Sequence, residues 1–345
     1  MRKLTLAEVN AERSTPGASV LLFLTDRCPV GCAHCSVDSR RDSPAISDHG
    51  LLAELVAGIC ADEELRVVGI SGGEPFVERR GLSATVRELA DADKDIVLYT
   101  SGVWARRGRP APDWIAGVLS AASCVFLSTD AFHAAAVDDE SFASAARAVA
   151  AAGTPLVVQV LDRPAEVAEA QRLLARALGP DWAARAELSL AKPLPFGRGS
   201  GVFTIGPTRG ADDLGRCRIL ASPVIRYDGQ VSACCNENVI TGKGPARLRA
   251  TCRSRGELAE ALAAFRRDPL LRLLGGVGVP AVIRHPAYAD LSSGTFRGIC
   301  DFCWRAQERT AVPPGSDAGA LIEAMAMVFA APDPAAAAGQ GKDTL

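Results

Sequence analysis

From Ser19 to about Ala191 the chain alternates short apolar runs with amphipathic stretches, and this alternation constrains the fold more than any other feature. The apolar runs are SVLLFL (Ser19 to Leu24), RVVGIS (Arg66 to Ser71), DIVLYT (Asp95 to Thr100), CVFLST (Cys124 to Thr129), PLVVQV (Pro155 to Val160) and AELSLA (Ala186 to Ala191). Helical patterns separate them at Ser47 to Ala61, Arg79 to Asp91, Pro112 to Ser120, Asp139 to Ala152 and Pro164 to Leu178. Ser47 is expected to cap its helix, and Pro112 and Pro164 suit first helical turns. Apolar strands alternating with helices require a parallel α/β sheet buried on both faces. Six such units build an open doubly wound sheet or a partial barrel, and spacing alone does not choose between them.

With 345 residues the chain can bury a sizeable core. A formal net charge of −2 gives no electrostatic footprint for nucleic acid or an anionic membrane, so neither is an expected partner. No run approaches the ~20 apolar residues that span a bilayer. Met1 to Thr15 lacks the apolar core of a signal peptide, and the 11 cysteines are an odd number. A reducing, cytoplasmic setting is therefore expected, with free thiols rather than a disulfide framework. Ser316 to Ala330 reads as a helix, and the closing PDPAAAAGQGKDTL as a disordered tail.

Those thiols are not scattered evenly. Cys28, Cys32 and Cys35 stand in CPVGCAHC, directly after the first strand. A 4Fe–4S cluster held by cysteines takes four thiolates, so a loop of three leaves one iron open. A structural zinc site prefers four ligands in two close pairs, which this triplet lacks. ISGGEP follows at Ile70 to Pro75. Together the two motifs resemble the radical S-adenosylmethionine (SAM) enzymes, whose open iron chelates SAM.

That resemblance selects the partial (β/α)6 barrel, and in parallel barrels the chemistry sits at the carboxyl ends of the strands. The motifs obey the rule. The cysteine loop follows the first strand and Gly72-Gly73-Glu74-Pro75 ends the second. Thr100-Ser101-Gly102 ends the third, Ser128-Thr129-Asp130 the fourth, and PLPFGRG (Pro193 to Gly199) follows the sixth. Gly72 and Gly73 would let backbone approach a ligand. The resemblance implies that Glu74 accepts from the SAM ammonium. Ser128 and Asp130 would lie near SAM or substrate, and Arg198 would reach a SAM carboxylate. The plainer alternatives are a cap for Ser128 and Asp130 and a solvated turn for Arg198. His133 is either an acid–base group or a structural histidine.

A second set of cysteines follows the barrel: Cys217, then Tyr227-Asp228-Gly229, the pair Cys234-Cys235, and Cys300 and Cys303 in CDFC. This pattern resembles the SPASM and Twitch extensions of radical SAM enzymes, small α+β domains that carry an auxiliary 4Fe–4S cluster. No cysteine follows Cys303, which fits one auxiliary cluster on Cys217, Cys234, Cys300 and Cys303. A four-cysteine zinc site is the alternative. Neighbours on a strand face opposite ways, so only one of Cys234 and Cys235 should point at the cluster. Cys60 and Cys124 read as buried apolar residues. Cys252 is a spare thiol, a hydrogen-atom donor or a displaced ligand.

The expected organisation is a radical SAM core over 1–200, an auxiliary cluster domain over 201–312, and a helix and tail over 313–345. The implied activity is reductive cleavage of SAM to a 5′-deoxyadenosyl radical, which abstracts a hydrogen atom from substrate. Expected cofactors are two 4Fe–4S clusters and SAM. If the auxiliary cluster accepts an electron the product is oxidised or cross-linked. If Cys252, Cys234 or Cys235 returns hydrogen, the product is an epimer. A ribosomally made peptide is the preferred substrate, with a small molecule such as an aminocyclitol or sugar as the alternative. A cluster-binding protein without turnover is the third reading. An electron donor such as flavodoxin or ferredoxin is an expected partner, with a separate leader-peptide-recognition protein in the peptide case.

Overall fold

The computed structural model describes residues 2–309. The 316–330 helical run, the tail and the whole 313–345 section lie outside the described residues. Helix α1 (Leu6–Ser14) precedes six strands alternating with five helices: β1 (Ser19–Phe23), α2 (His49–Ala61), β2 (Val67–Ser71), α3 (Arg79–Asp91), β3 (Asp95–Thr100), α4 (Asp113–Ala121), β4 (Cys124–Ser128), α5 (Asp139–Ala151), β5 (Leu156–Leu161), α6 (Pro164–Leu178) and β6 (Ala186–Ala191). Each strand begins and ends within a residue of its expected bounds.

Two helix starts differ from expectation. Asp48, not Ser47, caps α2, its carboxylate accepting from the Leu51 N–H. Aspartate outcompetes the adjacent serine because an ionised acceptor also suits the positive end of the helix dipole. Pro112 is itself the cap of α4, with extended ψ, so the first helical turn starts at Asp113. Pro164 does occupy the first turn of α6.

Strands β1 to β6 are parallel and lie in consecutive order. A doubly wound sheet reverses its order partway across. Consecutive right-handed crossovers instead wind every helix onto one face, which is the partial-barrel arrangement. The outer face carries the main core, including Leu22, Ile70, Leu98, Leu127 and Val158 against Leu55, Ile59, Leu82 and Leu119 of the helices. Fully burying one such side chain stabilises by ~1.5–3 kcal/mol. The alternate residues Val67, Val97, Phe126 and Val157 face the other way, where Leu4 and Val9 close over them.

The later segment adds β7 (Arg209–Gly210), β8 (Val224–Arg226), β9 (Gln230–Ser232), α7 (Glu237–Ile240), β10 (Arg249–Thr251), α8 (Arg255–Arg267), α9 (Pro269–Gly276), α10 (Val279–Val282), β11 (Thr295–Phe296) and α11 (Ile299–Glu308). Strand β8 pairs in parallel with β1, and β9 and β10 follow antiparallel, so one nine-stranded sheet runs β10-β9-β8-β1-β2-β3-β4-β5-β6. Part of this segment has its own core, in which Leu273, Leu274, Phe296 and Phe302 surround Cys217, Cys234 and Cys303. Among the described residues no helix is long and apolar enough to cross a membrane.

Candidate active site

The loop after β1 presents Cys28, Cys32 and Cys35 with almost all of its fastening in the main chain. The Cys28 N–H donates to the Arg40 carbonyl at 2.8 Å, and the Cys35 N–H to the Cys32 carbonyl at 3.2 Å. The turn after β6 lies directly on this loop. A Cβ on Gly197, whose φ is +53°, would stand 2.6 Å from the Cys35 carbonyl oxygen, and one on Gly199 would stand 3.0 Å from that of His34. Only glycine permits so close an approach. Arg198 then donates from its N–H to Cys35 O, from Nε to Cys32 O, and from Nη1 to Asp38 and Ser39 O. Its Nη2 is buried with no partner in the protein. Arg198 is therefore no solvated turn residue.

The glycines of GGEP make the same kind of contact from β2. A Cβ on Gly72 (φ +139°) would stand 2.5 Å from Thr25 O, and one on Gly73 2.3 Å from Arg27 O. The neighbour they admit is the chain's own cysteine loop, fastened by Gly73 N–H to Thr25 O at 2.6 Å and Glu74 N–H to Arg27 O at 2.9 Å. Pro75 opens a short, buried 3-10 turn. Glu74 is 1% exposed. Its carboxylate accepts from Thr100 Oγ1 (2.8 Å), Ser101 N–H (2.9 Å), Ser101 Oγ (2.5 Å) and Phe76 N–H. Burial pushes its carboxyl up, against the pull of those donors. Glu74 thus locks the β2 and β3 ends together, and the contacts of Ser101 explain its place on the rim.

Asp130 joins the cysteine loop to the β4 end. Its Oδ1 accepts from the Phe132 and His133 N–H groups and lies 2.9 Å from His133 Nδ1; Oδ2 lies 3.2 Å from His34 Nε2. Burial alone would lift the Asp130 carboxyl, but bonds from His133 and His34 hold it well below the usual carboxylate range. Burial likewise opposes a charge on His133, yet Asp130 and the neighbouring Cys32 sulfur raise it to about 10. Ser128 ends β4 half-buried, beside Gln159 of β5.

His34 escaped sequence reasoning. Its ring stacks on Phe132 (centroids 4.6 Å apart), Phe203 meets it edge-on, and its Nδ1 is buried without a partner. The available signal was that one of only four histidines lies inside the cysteine triplet.

Burial raises the thiols of Cys217, Cys234, Cys300 and Cys303, and Cys217 raises those of the other three further. Asn236 donates from Nδ2 to Cys300 Sγ at 3.4 Å. Cys235 lines a cavity of about 20 Å³ with Arg13 and Tyr99. Burial lifts its thiol to about 11. Cys252 packs in the main core with Sγ toward Glu257 O, the surroundings of a structural thiol.

Donor chemistry and spacing test what these sets would hold. Among the described residues, one group of three or more His, Cys, Asp and Glu side chains brings its ligand atoms within 4.8 Å of each other: His34, Asp130 and His133. Cysteine thiolates are the donors an iron–sulfur cluster takes, and both cysteine sets supply them. Beside the first set, Arg198 Nη2 and His34 Nδ1 are buried with no partner in the protein and would be free for a ligand.

No family model matches the chain. It is similar to the Streptococcus suis protein SuiB bound to S-adenosylmethionine, with TM-score 0.51 and 12% identity, covering 86% of this chain and 75% of that one. SuiB bound to its precursor peptide SuiA gives TM-score 0.52 and 13% identity, over 84% of this chain and 71% of that one. The described residues have the radical SAM fold. In sequence, 124 residues are 24% identical to the peptide biosynthesis protein YydG of Bacillus subtilis (strain 168). That match spans 36% of this chain and about two fifths of YydG, 39% of its length.

Proposed function

We propose that this chain is a radical SAM enzyme that cleaves SAM reductively and takes a hydrogen atom from a peptide substrate. The observation that carries the reading is the three-thiol loop, held by backbone on the turns after β2 and β6 and by Asp130 after β4. Cys28, Cys32 and Cys35 would hold a 4Fe–4S cluster with one open iron. When bound there, that cluster supplies the electron that breaks the SAM sulfonium bond. The polypeptide contributes position. Glu74 fixes the β3 end, Asp130 fixes His34 and His133 against the loop, and Arg198 aims an unpaired N–H at the SAM side.

The nearness of Cys217 to Cys234, Cys300 and Cys303, whose thiols it raises, supports an auxiliary 4Fe–4S cluster on these four residues. With four thiolates it has no iron left for substrate, so its role would be to accept the electron left on the substrate, giving an oxidised or cross-linked product. The peptide class draws support from the name of YydG and from the peptide-bound SuiB. The single auxiliary thiol set favours a second reading, oxidation of a small aminocyclitol or sugar.

Anaerobic protein, reconstituted with iron and sulfide, is expected to form 5′-deoxyadenosine and methionine from SAM under strong reductant. Cys28→Ala is expected to abolish both. Absence of 5′-deoxyadenosine from fully iron-loaded protein would leave a binding protein and overturn the proposal. Mass spectrometry of a peptide encoded beside this reading frame and co-expressed with the enzyme tests the substrate. An unmodified peptide together with an oxidised cyclitol would select the second reading.

A further inference from the structure

The cysteine loop is gripped at two places by arginines from elsewhere in the chain. Arg198 holds the stretch from Cys32 to Ser39. The second grip comes from the segment that carries the other cysteines. Arg226 ends β8 opposite Phe23 of β1, and its guanidinium lies over the Phe23 ring, 5.2 Å from the centroid. Both ends of its fork meet Asp26: Nη1 donates to Oδ1 at 2.9 Å and Nη2 to Oδ2 at 2.8 Å. Tyr227 Oη donates to the same carboxylate at 2.9 Å, and Asp228 accepts from the far side of the guanidinium. The Arg226 side chain is 11% exposed and that of Asp26 22%, so water screens the pair poorly.

Asp26 stands two residues before Cys28, and its N–H donates to Pro44 O, where the loop returns. The clasp therefore closes the root of the cysteine loop. The hairpin that supplies Arg226 runs on through β9 to Cys234 of the second thiol set. Its near end is held by β1 and its far end by that set. A two-point fork fixes orientation as well as distance, which a single charge does not.

We propose that Arg226 is a positioning residue for the SAM-binding loop, supplied by the auxiliary segment, and that it couples the two cysteine sites. The inference rests on the radical SAM reading. It gives the β8–β9 hairpin a task besides delivering Cys234: it sets the angle at which the first thiols meet SAM. Since coupling is reciprocal, the state of either site biases the other.

The test uses full-length protein loaded with iron at both sites, reduced, and titrated with SAM while its electron paramagnetic resonance spectrum is recorded. Arg226→Gln and Asp26→Asn are each expected to keep full iron, weaken SAM binding about tenfold and change the spectrum of the SAM-bound state. The double variant is expected to be no worse than either single, because both remove one clasp. Arg226→Lys, which keeps the charge and loses the fork, should fall between parent and Arg226→Gln. Unchanged affinity and spectrum in Arg226→Gln, or single effects that simply add, would overturn the inference. Should Arg226→Gln not fold, the near-isosteric Asp26→Asn decides by the same two readouts. A parent protein whose spectrum ignores SAM would instead overturn the radical SAM reading itself.

Discussion

Gly73→Ala tests the idea that the GGEP turn works by touching the cysteine loop. The added methyl would stand 2.3 Å from Arg27 O, 2.6 Å from Arg27 C and 2.8 Å from Asp26 O. All three are backbone atoms, so no side-chain rotation relieves the clash. The turn must withdraw, which stretches the bonds from Gly73 N–H to Thr25 O and from Glu74 N–H to Arg27 O. Overpacking costs ~1–3 kcal/mol, and each of the two lost bonds about 1 kcal/mol, for a total of ~3–5 kcal/mol. At about 0.6 kcal/mol per degree for ~300 ordered residues, the melting temperature should fall by ~5–8 °C. Gly117→Ala is the control. Gly117 lies inside α4 with nothing within 4 Å of its absent Cβ. The same added methyl should there stabilise by ~0.5–1 kcal/mol through helix propensity. Circular dichroism melts give both values, and iron analysis after anaerobic reconstitution gives the second readout. Gly73→Ala should hold less iron than its parent, because Arg27 precedes Cys28, while Gly117→Ala should hold the same. A Gly73→Ala protein that melts and loads iron like its parent would refute the reasoning.

Three other perturbations separate the parts of the site. Cys234→Ala should lose about four irons per chain while Cys235→Ala loses none, since one thiol faces the second set and the other the Arg13 cavity; iron analysis decides. Replacing Cys28, Cys32 and Cys35 by Ala together should leave about four irons, and zinc in their stead would remove the auxiliary cluster from the proposal. Burial raises Glu237 from 4.5 to about 7, so the folded chain resists its ionisation. Its protonated form favours the fold fully below about pH 4.5, and that advantage is lost as pH rises through about 7. Glu237→Gln should therefore stabilise by about 3 kcal/mol at pH 8 and by less at pH 6, measured by urea denaturation; an equal gain at both would refute it. Asp130→Asn strips the counter-charge from the mostly buried His133 and should cost about 3 kcal/mol in the same assay.

The strands and helices were legible because buried parallel strands read as unbroken apolar runs and their helices carry a 3.6-residue period. The continuity of the sheet was not. Strand β8 has three residues, too few to show any period, and its partner β1 lies some two hundred positions away. The GGEP motif was found for its chemistry. The four donors from the β3 end and its own turn that surround Glu74 follow from β2 and β3 being adjacent, which no local pattern encodes. His34 was hidden by the cysteines beside it, since its significance depends on Asp130 and Phe132, which arrive from β4.

A loop whose cysteine side chains are committed to a metal group cannot also use them to hold itself in place. Its position must come from the main chain and from neighbours, and here both supplies are visible. Glycines at 72, 73, 197 and 199 bring other turns against its backbone, where any Cβ would collide. Two arginines then tie its carbonyls and its flanking aspartates. Substitutions at these glycines and arginines should therefore change how the metal group is presented without removing any ligand.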